Sequence, residues 1–421
     1  MKRPSSAAQL AGASVIAGLS GLVVTWAVAR VSGPEAYAVF AVFWSAMYLV
    51  IGCLAGVQQE VTRSVAVSVR TDRSLHTSGW RFATGVSLGI VVLVAASLPL
   101  WAPSSFGNPY LALALPLLLG IGIFVFMATV SGSLAGTGSW AGVSFIIGMD
   151  GVLRLVTVAV SLLFTDDPAL LAWMVVAPLP ITLGTAIVLF RRPLGQAMVL
   201  TDGYRTLLWN IVRTMTAAAG SAILITGFPL LLALVSDRSQ QNELAPLILA
   251  ITLTRAPLLM PLSAFQGFLV VQFAKKPDGQ WRLLLRLTAG LAVFGALAAV
   301  LARLTGPAIL ELFFGSEYVL GGELLALLVA AAAAIACLYI TGPAVLASGA
   351  HAGYALGWLG AVFCALLVMS VPGGGLSERA VLALTLGPMV GVVLHIGFLL
   401  ARRRSAKSGV GTLPVPVAGV E

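Results

Sequence analysis

The sequence is short of charge. Of its 421 residues only 9% are Asp, Glu, Lys or Arg, while 59% are hydrophobic; an ordinary soluble chain carries roughly 25% charged residues. So small a stock cannot cover a surface facing water. That excludes the two or three soluble domains the length would otherwise suggest and makes the chain an integral membrane protein. Cysteine is scarce as well. Cys53, Cys337 and Cys364 all fall in apolar stretches without CxxC or metal-ligand spacing, and so read as small buried residues with no metal role. The three histidines, His76, His351 and His395, are scattered, and no HExxH, nucleophile elbow or P-loop lysine is present, which argues against an enzyme. Asp166-Asp167, an adjacent pair before Pro168, reads as solvated loop acids. The net charge of +9 comes with no basic, aromatic-rich recognition motif, so no nucleic-acid partner is expected.

What the chain has in abundance is apolar runs, and its mean hydropathy is +1.02. Requiring about 17 to 25 mostly apolar residues per crossing gives spans near 9-29, 36-57, 78-100, 110-133, 142-164 and 169-190. A polar, basic stretch follows, and then spans near 208-234, 244-271, 283-305, 321-346, 354-371 and 380-400. The expected architecture is all-α and polytopic: twelve transmembrane helices in two six-helix lobes around a central cavity. Residues 1-8 form a cytoplasmic N-terminus, 9-190 the first lobe, 191-207 a cytoplasmic linker, 208-400 the second lobe and 401-421 a basic, flexible cytoplasmic tail.

With both termini in the cytoplasm, eighteen of the twenty-four Lys and Arg fall inside. Arg30, Arg238, Arg303 and Arg379 fall outside, and Arg154 and Arg255 within spans. This is the basic excess that marks the cytoplasmic side. The +9 therefore expresses polarity of insertion. Tryptophans such as Trp26, Trp80 and Trp209 cluster near span ends, where interfacial anchoring is their default role.

The informative charges are the few inside apolar segments. Arg255 sits mid-span in TRAPLLMP, where a lipid-facing arginine is expensive. It either faces a cavity or polar partner, fitting an anionic substrate, or snorkels from a helix nearer an interface. Pro257 and Pro261 follow it and are expected to bend the helix. Asp150 and Arg154, at i,i+4, are either a neutralising structural pair or a cationic cavity group with a carboxylate that tunes it or carries a coupling proton. Arg213, with Asn210 and Thr214, extends a basic path at the inner mouth or simply follows the positive-inside rule. Arg30 either serves the substrate path or pairs with Glu35 in a short outer turn. Gln58, Gln59, Glu60 and Arg63, at the end of span two, form an inner gate, a headgroup contact or a polar helix end.

Three stretches resemble the bacterial polysaccharide or O-antigen flippases of the multidrug/oligosaccharidyl-lipid/polysaccharide exporter superfamily. They are residues 12-63 with RVSGPEAY at 30-37, TRAPLLMP at 254-261, and ELFFGSEYVLGGELLALLV through SGAHAGYALG at 311-357. The resemblance implies two lobes with alternating access and a polyprenyl-diphosphate-linked glycan carried from the inner to the outer leaflet of the bacterial cytoplasmic membrane. Arg255, Arg154, Arg213, Arg30 and Arg63 would then serve the diphosphate, while the isoprenoid stays among the membrane lipids. No cofactor is implied beyond possible proton or sodium coupling. Partners would be glycosyltransferases and a polysaccharide polymerase or ligase. A cation-coupled multidrug exporter of the same superfamily and a non-transporting scaffold for polymer-assembly enzymes are the alternatives.

Overall fold

The protein is described here by a computed structural model covering residues 6–68, 77–107, 109–200, 202–236, 240–275, 279–371 and 373–407. The first five residues and the last fourteen, and with them most of the expected N-terminal stretch and tail, lie outside the described residues. The fold is all-α. Its first helix, α1 (Ser6–Ser68), contains two arms joined at Gly33, which takes φ 74° and ψ 174°, a conformation reserved almost entirely for glycine. Pro34 follows directly, and a Cβ on Gly21 would lie 3.9 Å from the Trp44 ring, so the arms fold back on each other. The first two expected spans are thus one hairpin with a single-residue corner.

Then come α2 (Gly79–Phe106), α3 (Leu111–Gly136), α4 (Trp140–Ser161), α5 (Pro168–Val176), α6 (Pro178–Leu189) and α7 (Arg191–Ala197), followed by α8 (Tyr204–Ile225), α9 (Phe228–Val235) and α10 (Gln241–Lys275). The chain continues with α11 (Gln280–Phe314), a 3-10 turn Ser316–Tyr318, α12 (Gly322–Ala347), α13 (His351–Ser370) and α14 (Leu376–Lys407). Ten helices among the described residues have the length and apolar character to cross a membrane, the α1 hairpin being the first. This is a multi-pass membrane protein.

The helix bounds add detail to the sequence expectations. The span near 208-234 is divided into α8 and α9 at Thr226-Gly227, and the span near 169-190 is divided at Ala177. Pro257 and Pro261 stand inside one helix, Gln241 to Lys275, and the neighbouring segment is interrupted where Gly227 and Pro229 stand. The linker is partly structured: it holds α7 and a strand, β2 (Val199–Leu200), antiparallel to β1 (Thr77–Ser78). The basic residues Arg402 to Arg404 lie within α14, whose helix carries on past the expected membrane edge.

The helices form two lobes, α1–α6 and α8–α14. In the first, α1 packs on α3 and α4; in the second, α12 packs on α10, α11 and α14, and α13 on α14. Close approach depends on small residues, as in membrane bundles generally. A Cβ on Gly132 of α3 would lie 2.7 Å from the Gln58 carbonyl oxygen, and one on Gly151 of α4 would lie 2.7 Å from Ala17 Cα. Between the lobes, α1 packs along α8, where Cβ atoms on Gly52 and Gly56 would stand 2.8 Å from Ala222 Cβ and 2.7 Å from Met215 N. One end of the bundle gathers Arg63, Arg81, Arg191, Arg205, Arg282 and Arg402, and the other Glu35, Asp166, Glu243, Glu317, Glu323 and Glu378. These are the basic end and the acidic end below.

Gly132→Val is expected to lower the thermal midpoint of the detergent-purified protein by several degrees, since overpacking costs about 1–3 kcal/mol. Gly184→Val, at a position with nothing within 4 Å of a Cβ, should leave the midpoint unchanged. Equal midpoints would contradict the tight α1–α3 contact.

Candidate functional site

The two arginines inside apolar segments are both buried, with relative exposures of 5% for Arg154 and 6% for Arg255. Both lie where proline interrupts a neighbouring helix. Pro178 has no N–H for the Met174 carbonyl, which instead accepts from Thr157 Oγ1 at 2.7 Å. One residue on, the Val175 carbonyl accepts from Arg154 Nε at 3.2 Å. Arg154 Nη1 also bonds the Tyr48 hydroxyl, and its Nη2 lies 2.7 Å from Asp150. The guanidinium faces the Trp44 and Tyr48 rings, 5.9 and 5.5 Å from their centroids. Every guanidinium nitrogen of Arg154 therefore has a protein partner, and its charge is matched by Asp150.

Arg255 is different. Its Nη1 donates to the carbonyls of Leu224 and Ile225 at 3.0 and 3.2 Å, two acceptors at the C-terminal end of α8, where a cation also meets the negative pole of the helix. Its Cζ lies 5.3 Å from the Phe228 ring centroid. Nη2 is buried without a hydrogen-bond partner, and among the described residues no carboxylate pairs with it. Arg255 is a buried cation whose charge the protein leaves open.

The other three arginines do not join them. Arg213 is exposed on α8, while its neighbours face the other lobe: Asn210 Nδ2 donates to Glu60 Oε1 at 2.8 Å and Thr214 Oγ1 to the Gly56 carbonyl at 3.2 Å. Arg63 pairs with Glu60 and with Asp202 of the linker, each at 2.6 Å. Glu60 is 4% exposed, Gln58 is half-buried and Gln59 is exposed. Thr77 Oγ1 holds the Asp202 carbonyl at 2.8 Å and Gly79 N the Met198 carbonyl at 2.9 Å. The basic end of the seam is thus latched around Glu60. Arg30 is exposed at the acidic end; its guanidinium approaches Gly315, and it makes no ion pair with Glu35 among the described residues.

Two spaces border this framework. A cleft of about 1230 Å³ lies between the lobes at the acidic end, lined by Glu35 and Val42 of α1, Ser105 of α2, Ser236 after α9, Asn242 of α10 and Glu317. Among the described residues no Lys or Arg lines it. An apolar groove of about 690 Å³ runs beside α10, between Trp26 of α1, Leu253 and Pro257 of α10, Leu297 and Leu301 of α11 and Leu325 of α12. The acidic end is also held together on that side: Tyr318 donates its hydroxyl to the Ala29 carbonyl at 3.0 Å, and Trp26 Nε1 donates to the Phe313 carbonyl at 3.1 Å. Burial, with Glu317 beside it, raises the Tyr318 phenol above its usual pKa, so the hydroxyl stays protonated as a donor. Among the described residues no group of three or more His, Cys, Asp or Glu is disposed to hold a metal ion.

Tyr48, Thr157 and Ser45, which join the buried polar framework, carry no sequence signal of their own. The signal that was available lay in Pro178 and Pro229, prolines deep in apolar runs, each of which frees a carbonyl that something must satisfy.

No protein-family model matches the chain. An uncharacterized protein of Mycobacterium bovis is 37% identical over 402 residues, covering 93% of this chain and 91% of its own. An uncharacterized protein of Mycobacterium tuberculosis is 36% identical over 404 residues, covering 94% and 92%. Among solved structures, an inward-facing multidrug resistance MATE family transporter of the MOP superfamily superposes with a TM-score of 0.68 at 17% identity, over 94% of this chain and 96% of that one. A MOP superfamily transporter from Pyrococcus furiosus gives 0.62 at 16% identity, over 96% of each. The chain belongs to the family of these mycobacterial proteins and carries the two-lobed fold of the MATE transporters.

Proposed function

We propose that this protein is an alternating-access flippase that carries a polyprenyl-diphosphate-linked oligosaccharide from the cytoplasmic to the outer leaflet of the bacterial cytoplasmic membrane. Both termini lie in the cytoplasm, and the chain crosses the membrane twelve times. The observation that carries the reading is Arg255: a cation buried in the apolar layer, without a carboxylate and with one guanidinium nitrogen unpaired. An uncompensated buried charge is costly, and an oxyanion of the substrate removes that cost through charge-assisted hydrogen bonds. The apolar groove supports a lipid-linked cargo, since Thr254 and Pro257, on either side of Arg255, both line it. A polyprenyl chain lies there while its diphosphate reaches Arg255.

The charge asymmetry gives the direction. The basic end, read as cytoplasmic, attracts the anionic headgroup, and the acidic cleft repels it on the far side. Arg154 holds the α5–α6 join, with Asp150 as its counter-ion and possible coupling carboxylate. Arg213 and Arg63 contribute to the field at the basic mouth, and Arg30 to the acidic-end exit. The Glu60 latch, flanked by Gln58 and Gln59, is the gate. Proton or sodium coupling drives the cycle. Glycosyltransferases supply the cargo, a polymerase or ligase consumes it, and the transporter itself catalyses no chemical step.

A second reading has one observation in its favour. Among the described residues the inter-lobe cleft carries Glu35 and Glu317 and no basic side chain, a lining that suits an amphipathic cation and hence a multidrug exporter.

Proteoliposomes holding a labelled polyprenyl-diphosphate oligosaccharide separate the two. Wild-type protein is expected to move the label between leaflets, Arg255→Ala to slow it roughly tenfold or more, and Arg255→Lys to retain part of the rate. Wild-type transport by folded Arg255→Ala removes Arg255 from the path. Transport of an amphipathic cation without any glycan lipid transfers the conclusion to the second reading.

The gate is checked separately in cysteine-free protein bearing Thr214→Cys. Glu60→Ala is expected to speed modification of that thiol several-fold, and Gln59→Ala to leave the rate alone. Equal rates would take Glu60 out of the gate.

A further inference from the structure

The interruption between α8 and α9 can be accounted for atom by atom. The Thr226 and Gly227 amides both donate to the Ala222 carbonyl at 2.9 Å, the second across five residues, and the ladder resumes where Leu231 N meets the Gly227 carbonyl at 3.1 Å. In between, Pro229 has no N–H for the Ile225 carbonyl, and Arg255 takes that carbonyl together with Leu224's. The next pair, Leu230 N–H and Thr226 C=O, would normally bond each other as i→i−4. Instead the Ser45 hydroxyl stands between them, donating to Thr226 O at 2.6 Å and accepting from Leu230 N at 3.1 Å. Ser45 is 2% exposed and belongs to α1, in the other lobe. A side chain inserted into a helix ladder is a recognised cause of interruption; here the inserted side chain crosses the lobe interface.

We propose that Ser45 makes this segment a two-state element that couples separation of the lobes to closure of the α8–α9 ladder. With the hydroxyl in place, Thr226 O and Leu230 N are satisfied by Ser45 and the lobes are joined. With it withdrawn, the same two groups satisfy each other and α8 and α9 become more continuous. Neither arrangement leaves this carbonyl or amide unpartnered in the apolar layer, where no water replaces a missing partner. A half-withdrawn state does leave them unpartnered, so the element favours its two ends. Pro229 biases it toward interruption, because even the closed ladder still lacks a backbone donor for Ile225. Arg255, donating to the carbonyls just before the insertion, holds the C-terminal end of α8 fixed while Ser45 enters or leaves. This inference rests on the alternating-access reading above but on no particular cargo.

The test is a distance distribution by pulsed electron spin resonance, recorded without substrate in lipid nanodiscs. Spin labels are placed on cysteine-free protein at Asp166→Cys and Glu323→Cys, one on each lobe at the acidic end. Ser45→Ala is expected to shift the balance between two populations about fivefold, the worth of one net hydrogen bond, away from the distance dominant in wild type. Pro229→Ala restores a donor for Ile225, leaves Ser45 intact, and should shift it in the same direction. Ser45→Thr, keeping the hydroxyl, should stay close to wild type. Superimposable distributions for Ser45→Ala, Pro229→Ala and wild type overturn the proposal. So does a shift with Ser45→Ala and none with Pro229→Ala, because interface packing alone would then have been lost. The labels report without cargo, so failure of the glycan-lipid assay and failure of this coupling are separate results.

Discussion

In the hydrocarbon layer a backbone carbonyl or amide has no water to fall back on, and much of the architecture of this protein answers that constraint. Pro178 and Pro229 each remove a donor from a helix, and each vacancy is met by side chains from a neighbouring element. Thr157 serves the first, with Arg154 on the next carbonyl, and Arg255 serves the second, with Ser45 on the next carbonyl. The positions of the two buried arginines follow from the helices they complete. The same geometry separates their roles. Arg154 carries its own counter-ion, whereas among the described residues no carboxylate pairs with Arg255, which is met by two carbonyls and the Phe228 ring.

The seam between α1 and α8 shows how small residues and polar contacts divide the work. Gly52 and Gly56 bring the two backbones together, and that proximity lets Thr214 reach the Gly56 carbonyl and Asn210 reach Glu60. From Ser45 at mid-bundle to Glu60 at the basic end, the contacts run in file along one pair of helices. On the far side the lobes meet through Tyr318 on Ala29 and Trp26 on Phe313, a pair of single bonds to backbone carbonyls.

Hydropathy alone was enough to read the membrane class, the helical content and most helix positions, because burial of long apolar runs leaves few alternatives. It was less able to read interruptions, since Gly227 and Pro229 are as apolar as their surroundings and both residues are common in membrane helices. Arg255 and Arg154 stood out through sheer cost, and the Asp150–Arg154 pair followed from its spacing. What Arg255 touches was hidden, because its acceptors lie 30 and 31 residues away and are carbonyls, which every residue possesses. Sign of charge does not encode depth either: of the five arginines, Arg63 stands at the basic end and Arg30 at the acidic end, while Arg154 and Arg255 are buried within the bundle.

The two-stranded pairing of Thr77-Ser78 with Val199-Leu200 has a mechanical consequence. It fastens the linker to the foot of α2, and the second lobe begins at Tyr204. Three positions, 201 to 203, connect the two, and the carbonyl of Asp202 is held by Thr77. Three extended residues reach about 10 Å. The covalent connection therefore limits how far the foot of α2 and the start of α8 can separate at this corner.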